Sequence, residues 1–199
     1  MVASSPVGPY PIEPRRRRPS ARQARTLDRL LDASAEEARE LGYEGMTVRG
    51  AAKRAGVAAA TAYTHFASKD HLLAEVMWRE MSRLLEAPPA RSARPATRLT
   101  AELRRLGTFM ADEPALAAAG AIALLQPGPE IAALRMRIGQ ATHDRLAAAL
   151  GDDAAPSVMT SLDILYSGAL LWMGLGHLPP DRVPDALADA GELIWKGSR

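Results

Sequence analysis

Thr47 to Lys69 read T-V-R-G-A-A-K-R-A-G-V-A-A-A-T-A-Y-T-H-F-A-S-K, and this stretch decides the fold. It predicts two short helices joined by a tight turn. Thr47 is placed to cap the first helix, which runs to about Ala55. Gly56 makes the turn, because glycine takes a positive φ at little steric cost. The second helix covers about Ala59 to His65. Ala51, Ala52 and Ala55 keep the first helix slim, and Val57 can fill the small core between the two. Hydroxyl, aromatic and basic side chains gather on and after the second helix. This is how a helix-turn-helix module looks before it enters a DNA major groove. Recognition, rather than catalysis, is the expected work.

Upstream, Ser20 opens S-A-R-Q, a capping box with Gln23 at the third helical position. Leu27, Leu30, Leu31, Ala35, Ala38 and Leu41 then recur at helical spacing, and Gly42 is expected to end that helix. Downstream, Ser68 can cap a further helix with Leu72, Leu73, Val76, Met77, Leu84 and Leu85 on its buried face, stopped by Pro88-Pro89. Residues 87–95 read as a linker. Five more helices are expected: Thr97 to Met110, Pro114 to Leu125, Glu130 to Leu150, Pro156 to Gly174 and Pro184 to Lys196. No stretch alternates as a strand would, and no internal repeat stands out. The expected fold class is all-α, with about nine helices.

Apolar residues make up 47% of the 199, enough to bury a core. There is no cysteine, so disulfides, thiolate metal sites and cysteine nucleophiles are excluded. No apolar run approaches the roughly 18 residues of a membrane span, and the N-terminus lacks a signal peptide's apolar core. A cytoplasmic protein without a membrane partner is expected. Net charge is only +2, but it is unevenly spread. Residues 1–25 hold six arginines against Glu13; residues 43–69 hold Arg49, Lys53, Arg54 and Lys69 against Glu44. Positive charge is concentrated where a polyanion would be met. Arg15, Arg16, Arg17 and Arg18 shortly precede the first helix and could enter an adjacent minor groove, or act as a solvated cationic tail.

The chain resembles the TetR family of bacterial transcriptional regulators. The resemblance rests on Gly42-Tyr43, Met46 to Arg49, Ala52, Ala55-Gly56-Val57, Thr61, Tyr63, His65-Phe66, Ser68-Lys69 and Leu72-Leu73. It covers about 50 residues, roughly Leu27 to Val76. It implies that Thr47, Tyr63, His65 and Lys69 contact phosphates, that Arg49 and Thr64 reach a base or a phosphate, and that Ala59, Ala60 and Thr61 face base edges. The family often has glycine where Ala60 stands and a larger apolar residue where Ala62 stands. With Ala58, Ala59, Ala60 and Ala62, this recognition helix is short of hydrogen-bonding side chains, so thymine-methyl contacts and DNA shape gain weight.

Residues 1–19, rich in proline, serine and arginine without periodicity, read as a disordered arm; the resemblance implies a helix-turn-helix domain (20–68) and a helical ligand-binding and dimerisation domain (69–199) after it. Leu162, Leu165, Ala169, Trp172, Met173, Val183, Leu187, Ala190 and Ile194 are the expected dimer face; the same residues could instead seal an intramolecular hairpin. Met81, Phe109, Met110, Leu125, Met136, His143, Tyr166 and Trp172 are candidate pocket residues, and their chemistry suits a lipophilic effector. No cofactor or metal is expected. No nucleophile, base or metal cluster suggests an enzyme. The expected function is a dimeric DNA-binding regulator, a repressor by family default, released from a palindromic operator by a small ligand. The alternative is a DNA-binding regulator with no small-molecule effector, governed by a protein partner or constitutive.

Overall fold

The computed structural model describes residues 20–198. Nine α-helices and two short 3-10 turns, with no strand, make up the regular structure of the described residues. The first four are α1 (Ala21–Gly45), α2 (Val48–Arg54), α3 (Ala59–His65) and α4 (Lys69–Glu86). The rest are α5 (Pro95–Asp112), α6 (Pro114–Leu125), α7 (Pro129–Leu150), α8 (Pro156–Gly174) and α9 (Val183–Gly197). The expected all-α class and helix order hold. The sequence's Arg15 to Arg18 lie outside the described residues.

Local chemistry explains the boundaries. Ser20 and Gln23 form the full capping box, and Thr47 and Ser68 accept from the Gly50 and His71 amides. Proline starts α5, α6, α7 and α8, where its missing N–H goes unneeded. Gly42 has the expected positive φ of 66°, but the chain then takes one more helical turn before Met46. Leu41, assigned to the apolar stripe of α1, is exposed at the end of the regular helix, just before the kink.

Two apolar clusters divide the interior. One joins α1, α2 and α3 through Leu30, Met46, Ala52 and Phe66. It also takes Leu72, Leu73 and Val76 from α4, and Leu116, Ala119 and Ala123 from α6. The head's core therefore does not stop at Ser68. The second cluster fills the body with Met81, Leu99, Leu106, Met110, Leu146, Leu162 and Leu187. Ala117 and Leu124 on the other side of α6 belong to it. Helix α6 is thus buried toward both head and body, and its residues are apolar all round to suit.

Small residues allow close crossings. A Cβ on Gly107 of α5 would lie 2.7 Å from Pro184 Cα of α9, and one on Gly120 of α6 would overlap the Met77 side chain of α4. The α4–α5 connection is pinned rather than loose. Arg145 donates to the Ala87 carbonyl (2.8 Å) and to Glu102 (2.8 Å), whose other oxygen accepts from the Ala90 amide (2.5 Å). Buried Glu102 is thereby paired and hydrogen-bonded, as a buried charge must be. Among the described residues no single helix is long and apolar enough to cross a membrane. Helices α5 and α6 pass that test only as a pair, and they meet at 102° inside the core.

Two helix-interior glycines should respond oppositely to alanine. Gly107→Ala drives a methyl into the α9 backbone and should lower unfolding free energy by about 1–3 kcal/mol. Gly139→Ala meets nothing within 4 Å, and the better helix former should raise it by up to about 1 kcal/mol. Urea unfolding of both variants checks the pair.

Candidate nucleic-acid interface

The turn between α2 and α3 is built as its residues require. Gly56 adopts φ 62°, its amide donating to Lys53 O at 3.1 Å, and the Val57 amide reaches Ala52 O at 2.9 Å. The Arg29 guanidinium, coming from α1, donates to the Ala55 carbonyl. A cation at the end of α2 suits the partial negative charge of its last carbonyls. Ala62 and Phe66 anchor α3 inward.

This leaves one side of α3 facing out. Thr61, Tyr63 (47% exposed) and Thr64 are all solvent-accessible, as are Ala60, Thr47 and Arg49. Ala59, His65 and Lys69 are half-buried at its margin. Thr64 Oγ1 donates back to the Thr61 carbonyl (2.6 Å), which occupies its proton and leaves its lone pairs. Of the residues expected to meet DNA, Thr47, Arg49, Ala60, Thr61, Tyr63 and Thr64 are thus open to solvent.

Some of these groups are held by partners. Lys69 Nζ lies 4.0 Å above the Tyr43 ring and donates to the Tyr43 carbonyl at 3.0 Å. Two of its three N–H donors stay available, and its position is fixed. The Tyr43 hydroxyl donates to Asp70 at 2.7 Å; burial first, then Asp70, pushes this phenol up to about 12. It therefore stays a donor at any working pH. Arg54 is bound by Glu36 and Glu40 on α1, which removes it from the outward face. Lys53 is exposed.

The structure adds residues that the sequence reading missed. A cleft of about 610 Å³ runs between the start of α1 and the turn, and Arg22, Arg25, Thr26 and Arg29 line it opposite Thr61, Thr64 and His65. Nothing in the spacing of α1 marks these arginines as neighbours of α3; only the folded head brings them there. Glu37 was also missed. Buried, it accepts from the Thr47 amide (3.4 Å) and fills the space where a Gly50 side chain would stand. Its carboxylate thus supports the N-terminus of α2 from within.

The pattern of bacterial regulatory proteins of the tetR family matches residues 30–76. An uncharacterised HTH-type transcriptional regulator of Mycobacterium tuberculosis is 38% identical over 179 residues, covering 89% of this chain and 84% of that protein. The chain belongs to the TetR family. It is a transcriptional regulator with a DNA-binding helix-turn-helix. The HTH-type transcriptional repressor KstR of Rhodococcus jostii is 33% identical over 154 residues, covering 73% of this chain and 71% of the repressor. A TetR transcriptional regulator from Rhodococcus sp. RHA1, known as a crystal structure, superposes with a TM-score of 0.74. It is 22% identical and covers 87% of this chain and 97% of that one, a likeness of fold alone.

The TetR-family body corrects two groups of expected residues. Leu162, Met173, Val183 and Leu187 are buried in the chain's own core and have no surface left for a second copy. Helix α8 is apolar on nearly every side, so its sequence could not tell the inner face from the outer. Leu165, Ala169, Ala190 and Ile194 are half-buried, and Trp172 is exposed. Large apolar side chains that do face out are Ile164, Leu171 and Leu175, with Leu193 of α9 (71% exposed).

Of the expected pocket residues, Met81 and Met110 are sealed in the core and Phe109 packs against it. Met136 (57% exposed) faces solvent, and Trp172 sits edge-on to His177 outside. Leu125 and Tyr166 do line an apolar groove of about 600 Å³ between α6, α7 and α8. His143 lines an adjoining cavity, and its Nδ1 lies 2.8 Å from Asp163. Asp144, the neighbour expected beside it, takes the Gln140 amide instead.

Thr47 caps α2 whatever DNA does. Thr47→Ala should lower stability by about 1 kcal/mol, and Thr47→Ser should restore most of it. Urea unfolding without DNA separates this capping effect from any phosphate contact.

Proposed function

We propose that two copies of this chain pair through α8 and α9, and that the pair represses transcription by holding both heads on a roughly palindromic operator until a small lipophilic effector releases it. The observation that carries this reading is the outward side of α3, with Thr61, Tyr63 and Thr64 exposed and three α1 arginines across a cleft. The relationship to a named repressor favours repression.

On this reading α3 lies in the major groove. Thr61, Ala59 and Ala60 meet base edges, Arg49 and Thr64 a base or a phosphate. Thr47, Tyr63, His65 and Lys69 hold phosphates and set the register. Arg22 and Arg25 join them as further phosphate ligands. Arg15 to Arg18 would extend along the adjacent minor groove. The domain division is best drawn functionally: residues 20–68 read DNA, and 69–199 pair and sense. A DNA-reading role puts the protein in the cytoplasm.

Pairing is supported by exposed Trp172 at the end of α8, Leu175 just after it and Leu193 of α9, none of which lines the groove between α6, α7 and α8. So much exposed apolar surface on neighbouring helices marks an association face. Two-fold pairing would set the heads one or more helical turns apart on DNA. Effector binding is supported by the groove of about 600 Å³ beside α6. A ligand that prefers a different α6 arrangement would weaken DNA binding about 5–150-fold.

The operator can be found by selecting bound fragments from random DNA and measuring affinity by fluorescence anisotropy. An inverted repeat should emerge; failure to enrich any such site would reject the proposal. Arg25→Ala should weaken binding to all sequences alike. It should make the log affinity against log salt slope shallower by about 0.9. Leu193→Arg should turn a dimer into a monomer in sedimentation velocity and abolish operator binding at nanomolar protein.

A further inference from the structure

The groove and the cavity beside it differ in chemistry, and one residue faces the cavity without a partner. Thr142 of α7 is 2% exposed, and its hydroxyl makes no hydrogen bond. A helical threonine ordinarily bonds the carbonyl one turn back; this one does not. A buried hydroxyl left without a partner is destabilising. Thr142 lines a cavity of about 290 Å³ with Gln140, His143, Asp163 and Ser167. Gly139 and Tyr166 border both this cavity and the larger apolar groove. A Cβ at Gly139 would meet nothing within 4 Å, so its missing side chain leaves the passage between the two open.

The groove itself is walled by Leu124, Leu125, Ile138, Ile164, Leu170 and Leu171. It takes an apolar body, and the cavity takes a polar end. The charges around that end decide what kind. The His143 ring is bonded to Asp163 (2.8 Å), and the Gln140 amide, which also lines the cavity, is held outward by Asp144. Arg135 lines the groove rather than the cavity, and its guanidinium donates to the Leu124 carbonyl at 2.5 Å at the end of α6. Among the described residues that line the cavity there is no lysine or arginine. A carboxylate or phosphate head there would meet the Asp163 carboxylate and no guanidinium or ammonium group, the His143 ring being already paired to Asp163.

We infer that the effector is an uncharged amphipathic molecule, its apolar body lying in the α6–α7–α8 groove and one hydroxyl or carbonyl oxygen bonded to Thr142. This rests on the regulator reading above and names the ligand class that the same body accepts. The site also explains how occupancy is felt. The groove's wall at Leu124 is α6, whose opposite side carries Leu116, Ala119 and Ala123 into the head's core. A body wedged between α6 and α8 displaces the helix that seals the head.

Decan-1-ol and decanoate, equal in length and differing in head charge, are titrated by calorimetry into the full chain. Thr142→Val and Gly139→Leu are titrated alongside. Decanol should bind the wild type, and decanoate at least about tenfold more weakly. Thr142→Val keeps the shape, loses the hydroxyl and should bind decanol about tenfold more weakly, the worth of one hydrogen bond. Gly139→Leu blocks the passage and should abolish decanol binding. Melting curves separate loss of the site from loss of the fold. Decanoate binding as tightly as decanol, equal decanol affinity of Thr142→Val, or no binding of decanol would each overturn the inference. Operator binding without either probe is measured separately. If it is absent, the regulator reading fails by itself; if it is present while decanol does not bind, only the ligand class fails.

Discussion

The whole arrangement depends on one helix packed closely on two sides. Helix α6 contributes Leu116, Ala119 and Ala123 to the head and Ala117 and Leu124 to the body. Alanine and glycine make this possible. At Gly120 the α4 side chain of Met77 comes so near that no Cβ would fit. Close-packed interiors transmit displacement because they have little free volume to absorb it. A head that shares its core with a body helix cannot be repositioned independently of that helix. The Arg39–Glu113 ion pair at 2.6 Å ties α1 to the residue just before α6, but at a solvent-exposed site it contributes little by itself. Burial of α6, not this ion pair, carries the connection.

The head separates two tasks by side-chain type. Inward, Ala62 and Phe66 fix α3 on its neighbours, and Glu37 supports α2 through the space that Gly50 leaves. Outward, α3 offers hydroxyls and methyls but few long hydrogen-bonding side chains. On the proposed reading, affinity then comes largely from cations around it, and Arg22 and Arg25 across the cleft are placed to supply them. The acids Glu36 and Glu40 take Arg54 out of that set, so the number of cations in the segment overstates the charge presented to DNA.

Local signals were legible in the sequence. Ser20, Thr47 and Ser68 as caps, the prolines that open α5 to α8 and the turn at Gly56 each act within a few residues of themselves. Helix boundaries therefore agree to within two residues, except the end of α1, which runs three residues past Gly42. Faces were legible only where polar residues mark the other side. Helix α8 lacks that contrast, so Leu162 and Met173 were assigned outward and Ile164 and Leu175 were not. Side-chain partners distant in sequence were not legible at all. His143 pairs with Asp163 on the next helix, Glu102 with Arg145, and Arg29 with the Ala55 carbonyl. The unpartnered hydroxyl of Thr142 is of the same kind, since which groups reach it is a property of the fold.

The claim that head and body are one cooperative unit joined through α6 can be measured by native-state hydrogen exchange at increasing urea. The α1 amides around Leu30 to Ala38 and the α5 amides around Leu99 to Met110 should converge on one opening free energy and one dependence on urea. If α1 opens at markedly lower free energy while α6 keeps its protection, the two cores are independent and α6 does not govern the head.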